Sequence, residues 1–100
     1  MIETVFEELR GIGAVSSSDE FSIKWLGRER SYLRGLRAKQ RNPSPAVLAT
    51  CAVRLLRTAD SFSAMRAMPT PDKHKQLRVL ANRCLEQILE EGARRQHDHI

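Results

Sequence analysis

The sequence predicts an all-α protein of about five helices, the last of them long and C-terminal. Three observations in the chain itself predict the helical class. Apolar residues recur at i, i+3, i+4 spacing in successive segments. Runs of β-branched residues with period-two alternation are missing. Gly, Ser-rich and Asn/Pro breaks separate the segments.

In the first helix, Ile2, Val5, Phe6 and Leu9 share one face, and Gly11-Ile12-Gly13 supplies a stop. Ala14 to Ser18 is a linker. Ser18 or a serine neighbour suits the next N-cap, with Asp19 and Glu20 in the first turn where the helix dipole favours acids. The second helix runs from Asp19 to Leu26 with Phe21 and Trp25 inward and Ile23 and Leu26 as further inward candidates, and Gly27 ends it. The third spans Glu29 to Ala38. Its apolar face is Tyr32, Leu33 and Leu36, and Arg30, Arg34 and Arg37 form a stripe on another face.

Asn42-Pro43-Ser44-Pro45 breaks the chain and restarts it, with Ser44 as N-cap and Pro45 at the first helical position. The fourth helix carries Val47, Leu48, Cys51, Leu55 and Leu56 and continues to Met65 or Met68. Thr70-Pro71 repeats the start signal. The fifth helix runs from Pro71 to Ala93 or beyond, with Leu77, Leu80, Cys84, Leu85, Ile88 and Leu89 apolar. The tail RRQHDHI is polar and expected to fray. This organisation divides the chain into residues 1–68 and a C-terminal element, residues 69–100.

Charge is unevenly placed. Residues 1–23 hold five acids and one base, a net of −4. Residues 24–57 hold nine bases and only Glu29, a net of +8. That local excess suits a polyanion or another acidic partner. Several classes are excluded. No apolar run reaches membrane-spanning length. The acidic N-terminus does not read as a secretory signal. Cys51 and Cys84 are isolated thiols on apolar faces, which points to core positions and a reducing, cytoplasmic setting. His74, His97 and His99 lack zinc-like spacing with a cysteine pair. No GxSxG, P-loop, HExxH or dinucleotide fingerprint is present, so neither an enzyme, a cofactor nor a small-molecule ligand is expected. Trp25 and Tyr32 read as core or rim packing, because the interleaved aromatics of single-strand binders are missing.

Residues 26–55, LGRERSYLRGLRAKQRNPSPAVLATCAVRL, combine a Gly-containing turn, a small arginine-studded helix, a proline stop and a new apolar helix. Two short helices joined by such a turn read as a helix-turn-helix. The segment resembles the Xre/Cro-like (lambda-repressor-like) helix-turn-helix family at Leu26-Gly27, Ser31-Tyr32-Leu33, Leu36, Arg41-Asn42-Pro43-Ser44, Leu48, Ala52 and Leu55, without a gap. It departs from that family at Asp19 (often Gln), Ser22 (a core Leu), Ile23 (a small residue), Arg37 (often Glu) and Lys39 (Gly). Gly35 inside the helix costs about 1 kcal/mol relative to Ala.

The resemblance implies a lambda-repressor-like helix-turn-helix core before the long C-terminal helix, and sequence-specific binding of double-stranded DNA by a small prokaryotic or phage-type transcriptional regulator. Its recognition helix would be Glu29 to Arg37, with Arg28, Glu29, Arg30, Ser31 and Arg34 facing base edges. Physical chemistry favours the same residues, since arginine forks read guanine O6 and N7 in the major groove. Arg37, Lys39, Gln40 and Arg41, with Lys24, suit phosphates, which position without specifying. Regulators of this type bind pseudo-palindromes as dimers. The stripe Leu77, Leu80, Cys84 and Ile88 is therefore expected to form the seam of a homodimer, the other arrangement being a fold-back onto the fourth helix. The alternative function is an interaction module, an antitoxin or adaptor whose basic face docks an acidic protein.

Overall fold

Five helices, with no strand among the described residues, build the fold: α1 (Ile2–Gly11), α2 (Ser18–Lys24), α3 (Tyr32–Lys39), α4 (Pro45–Ala64) and α5 (Pro71–Asp98). The computed structural model describes the backbone of residues 2–64 and 71–98, and the side-chain surroundings of 2–61 and 75–93. No described helix is long and apolar enough to cross a membrane.

The local chemistry accounts for each boundary. Ile2, Val5, Phe6 and Leu9 bury one face of α1. The helix stops at Gly13, whose φ of 78° is left-handed. Gly13 N–H then reaches the Arg10 carbonyl and Ala14 N–H the Leu9 carbonyl, closing two orphan acceptors in a Schellman turn. α2 is capped by Ser17, whose hydroxyl accepts the Glu20 N–H at 3.1 Å. Within α2, Phe21 is fully buried while Ile23 is exposed; Trp25 and Leu26, just past its end, are buried. α4 starts at Pro45 behind Ser44, whose hydroxyl accepts the Val47 N–H.

The third helix begins three residues later than its pattern suggests, at Tyr32 instead of Glu29. Gly27 turns the chain with a φ of 66°, and Arg28 N–H returns to the Ser22 carbonyl. Glu29 to Tyr32 then forms a tight turn closed by Tyr32 N–H on the Glu29 carbonyl. Arg28, Glu29, Arg30 and Ser31 therefore precede the helix. At its far end Gln40 adopts a left-handed φ of 52°, and its own N–H and that of Arg41 reach the Arg37 and Leu36 carbonyls.

One buried cluster joins all five helices. Phe6 and Phe21 meet as tilted rings 5.4 Å apart, and Leu33, Leu48 and Leu55 are fully enclosed. Leu77, Leu80, Ala81 and Cys84 of α5 belong to this same cluster, with Ile88 half-buried against it. α5 packs along α4, where Arg78 donates to Asp60 at 2.6 Å, while Gln76 donates to Glu8 of α1 at 2.6 Å. The expected dimer seam is thus corrected. Leu77, Leu80 and Cys84 are covered within one chain, because a short bundle with few large aromatics needs α5 to close its core. The division of the chain at residues 68/69, and Met65 and Met68, fall outside the described residues. Through Leu77, Leu80, Ala81 and Cys84, α5 forms one wall of the buried core.

Candidate nucleic-acid interface

The outward side of α3 and the turns flanking it enclose a shallow groove of about 460 Å³. Arg28, Glu29, Ser31 and Tyr32 contribute from its N-terminal end, Gly35 and Lys39 from the helix, and Arg41, Asn42 and Ser44 from the segment leading into α4. Three cations face one carboxylate there. Arg28 lies over the Tyr32 ring, 5.2 Å from its centroid, which steadies the guanidinium by a cation–π contact. A Cβ added at Gly35 would meet nothing within 4 Å, so the centre of the α3 face is open.

Positioning of this face depends on a residue that stands out in sequence only as a departure. Ser22 is fully buried. Its hydroxyl donates to the Ser18 carbonyl at 2.9 Å and accepts the Leu33 N–H at 3.1 Å. The orphan N–H at the start of α3 is thereby satisfied from α2, and the two helices are tied at their crossing. Ser31, the residue at the cap position, makes no side-chain cap bond. Leucine at position 22 could not make this link.

Arg54, on α4, holds the other side of the turn. Its Nη1 donates to the Ile23 carbonyl at 3.0 Å and the Lys24 carbonyl at 2.7 Å, placing a cation at the C-terminus of α2. A Cβ at Gly27 would stand 3.1 Å from Arg54 Nη2 and 3.2 Å from Thr50 Cγ2. Position 27 therefore favours glycine for its φ, and a Cβ there would also crowd Arg54 and Thr50. A contact across thirty residues has no local sequence signal, so Arg54 was not legible as a structural cation.

The expected site residues separate into two groups. Arg28, Glu29, Ser31, Lys39 and Arg41 come together around the groove. Arg30 is exposed nearby in the turn. Gln40 is the left-handed cap residue of α3. Two arginines of the stripe, Arg34 and Arg37, meet acids of α2 and α1. Arg34 Nε lies 3.2 Å from Asp19 Oδ1. Arg37 makes a two-pronged contact with Glu3, Nη2 to Oε2 at 2.8 Å, and stacks 5.6 Å from the Phe6 centroid. Arg37 is thus turned toward α1. These hydrogen bonds hold the Glu3 carboxyl below its ordinary range and raise the Arg37 guanidinium. Lys24 lies 3.7 Å from Glu20 on an exposed surface. Tyr32, Gly35, Asn42 and Ser44 join the groove although the sequence reading gave them packing, propensity or capping roles only.

The two thiols are enclosed between α4 and α5. Hydrogen bonding to Cys84 and burial both push the Cys51 thiol up, which keeps it protonated and inert. Among the described residues, no three His, Cys, Asp or Glu side chains gather as a metal site; His97 and His99 lie outside the described side chains.

No curated protein and no solved structure matches the chain. A family of unknown function (DUF6626) matches residues 2–98, nearly the whole length, and the chain belongs to that family.

Proposed function

We propose that the chain binds double-stranded DNA, seating the open face of α3 in the major groove, and acts as a sequence-specific transcriptional regulator of the Xre/Cro-like kind. The observation that carries this reading is the groove itself. Its centre, Gly35, has no side chain and its rim carries Arg28, Lys39 and Arg41. A bare centre lets the helix backbone come close to base edges, while the rim cations meet guanine or phosphate. Arg28, in the turn at the mouth of α3, is the base-reading candidate. Lys39 and Arg41 are the phosphate candidates. Arg34 is available as well, since an exposed ion pair such as that with Asp19 is worth about 0–1 kcal/mol and exchanges readily.

A homodimer belongs to the same proposal, with a different seam. Leu85 and Leu89 are exposed one turn apart on α5, and a second copy would meet that flank.

Selection of bound sequences from a random duplex pool, followed by titration across salt concentrations, tests the function. One sequence should enrich, and log affinity should fall linearly with log salt. Arg28→Ala should cost about 1–3 kcal/mol on the selected site and relax one base pair. Lys39→Ala should weaken all duplexes and reduce the salt slope by about 1. A pool that returns no enriched sequence removes the reading.

A second reading has its own observation. Glu3 and Asp19 already place carboxylates on Arg37 and Arg34, which is how an acidic protein partner would engage this face. A partner of that kind would compete with duplex DNA without any base preference.

A further inference from the structure

Leu85 and Leu89 do not stand alone on α5. The contacts between α4 and α5 fix what lies beside them. Arg78 meets Asp60, and Cys84 shares a hydrogen bond with Cys51, so the two helices run antiparallel. Arg78 and Asp60 are both exposed and mark the outward seam of the pair. Two turns along α5 from Arg78 stands Leu85, and two turns back along α4 from Asp60 stands Val53. One further turn each way reaches Leu89 and Ala49. Steps of seven and four residues keep to one side of a helix, so all four border the same seam. All four are exposed, Val53 by 47%, Leu85 by 41% and Leu89 by 72%. The outward side of the α4–α5 pair is therefore a two-helix apolar strip. We propose that this strip is the interface of a two-fold homodimer in which α4 of one chain lies on α5 of the other. The proposal deepens the homodimer put forward above, rests on it, and adds α4 as the second half of the seam.

The edges of the strip decide which partner fits. On the α4 side the edge is basic. Arg57 is one turn from Val53 and lines the same shallow hollow as Val53 and Ala49. On the α5 side the edge is acidic, with Glu86 and Glu90 beside Leu89. Arg57, Glu86 and Glu90 are exposed and make no salt bridge among the described residues. A uniformly basic or acidic partner would be repelled at one edge. A second copy carries both signs and is its own complement.

Charge also selects the symmetry. A two-fold axis across the helices would lay α4 on α4 and set basic edge against basic edge. An axis parallel to the helices lays α4 on the partner's α5 and brings Arg57 to the acidic edge. Arg57 then stands about 7 Å along the axis from the partner's Glu86 at 1.5 Å per residue, a gap these two long side chains span. The strip from Ala49 to Asp60 is about 17 Å long and two helices wide, which is small beside the about 800 Å² per partner of a standard interface. The dimer should therefore form and dissociate within the micromolar range.

Sedimentation equilibrium of the full chain from low to high micromolar concentration tests this. The wild type should pass from monomer to dimer and no further. Val53→Asp should keep its helical circular dichroism, because Val53 is exposed, and remain a monomer. Arg57→Glu and Glu86→Arg should each weaken self-association about tenfold, since the two-fold repeats every reversed pair. An equimolar mixture of the two variants should recover the wild-type affinity, because each edge again meets its opposite. A dimeric Val53→Asp would confine the seam to α5 and overturn the proposal. A mixture as weak as its components would overturn the symmetry and the proposal with it, and so would association beyond the dimer. A wild type that stays monomeric would remove the homodimer altogether, while an enriched duplex sequence would still uphold the DNA reading.

Discussion

Replacing Ser22 with alanine removes one oxygen atom and should destabilise the protein by about 1–3 kcal/mol, because a buried Leu33 N–H then loses its acceptor. The site offers no replacement. Ser22 is fully buried, so water does not reach the exposed amide easily, and Ser31 at the cap position makes no cap bond of its own. The Ser18 carbonyl loses the Ser22 hydroxyl as a donor but lies within α2, so the Leu33 amide dominates the cost. A domain of this size has about 5–15 kcal/mol in all, so the change is a substantial fraction. The assay is urea unfolding followed by helical circular dichroism and by Trp25 fluorescence. With a slope of about 1 kcal/mol per molar urea, the midpoint should fall by about 1–3 M. Ser31→Ala is the internal control and should shift stability by less than about 0.5 kcal/mol. Equal effects of the two substitutions would refute the reasoning, since they would mean that α3 is capped locally and not from α2.

The other predictions concern a cap, the core and an ion pair. Gln40→Gly should stabilise the chain by about 1 kcal/mol, because glycine adopts the left-handed cap conformation without the side-chain penalty; an unchanged or lower melting temperature would contradict that geometry. Leu80→Asp should abolish the helical signal, since even truncating such a buried leucine costs about 2–5 kcal/mol, whereas Leu89→Asp should stay folded and sediment as a monomer. A folded Leu80→Asp variant would restore α5 as an open seam. The Glu3 carboxyl is lower in the folded state than in the unfolded one. Its contribution to stability is therefore present above the ordinary carboxylate value and lost as pH falls through the lower folded value. The gap in urea midpoint between wild type and Glu3→Gln should narrow as pH drops below about 4; a gap that does not vary with pH would show that the Arg37 pair is not formed in solution.

Local rules carried far along this chain. The Ile2, Val5, Phe6, Leu9 spacing placed one face of α1 inward, and the Ser44-Pro45 signal placed the start of α4 correctly, because both depend only on residues within a turn of each other. Apolar spacing likewise found Leu77, Leu80 and Cys84, since burial needs only a hydrophobic stripe. What that stripe is buried against is another matter. An amphipathic helix carries no label for its partner, and only the packed fold shows α4 of the same chain in that place.

The charge pattern divides in the same way. The excess of bases in residues 24–57 is a property of composition and needs no fold. Which of those bases are free is decided by acids far away in sequence: Glu3 reaches Arg37, Asp19 reaches Arg34, and the α2 carbonyls take Arg54. The sequence reading also started the third helix at Glu29, although Gly27 and the Glu29 turn delay its start to Tyr32. The departure at Ser22 marked a position at the helix crossing, but not how the crossing is made. Hydrogen-bond partners eleven residues apart or more are chosen by the way helices pack, and that choice exists only in three dimensions. Sequence alone therefore determined the helices and the sign of the surface, and tertiary packing decided which side chains remain available to a ligand.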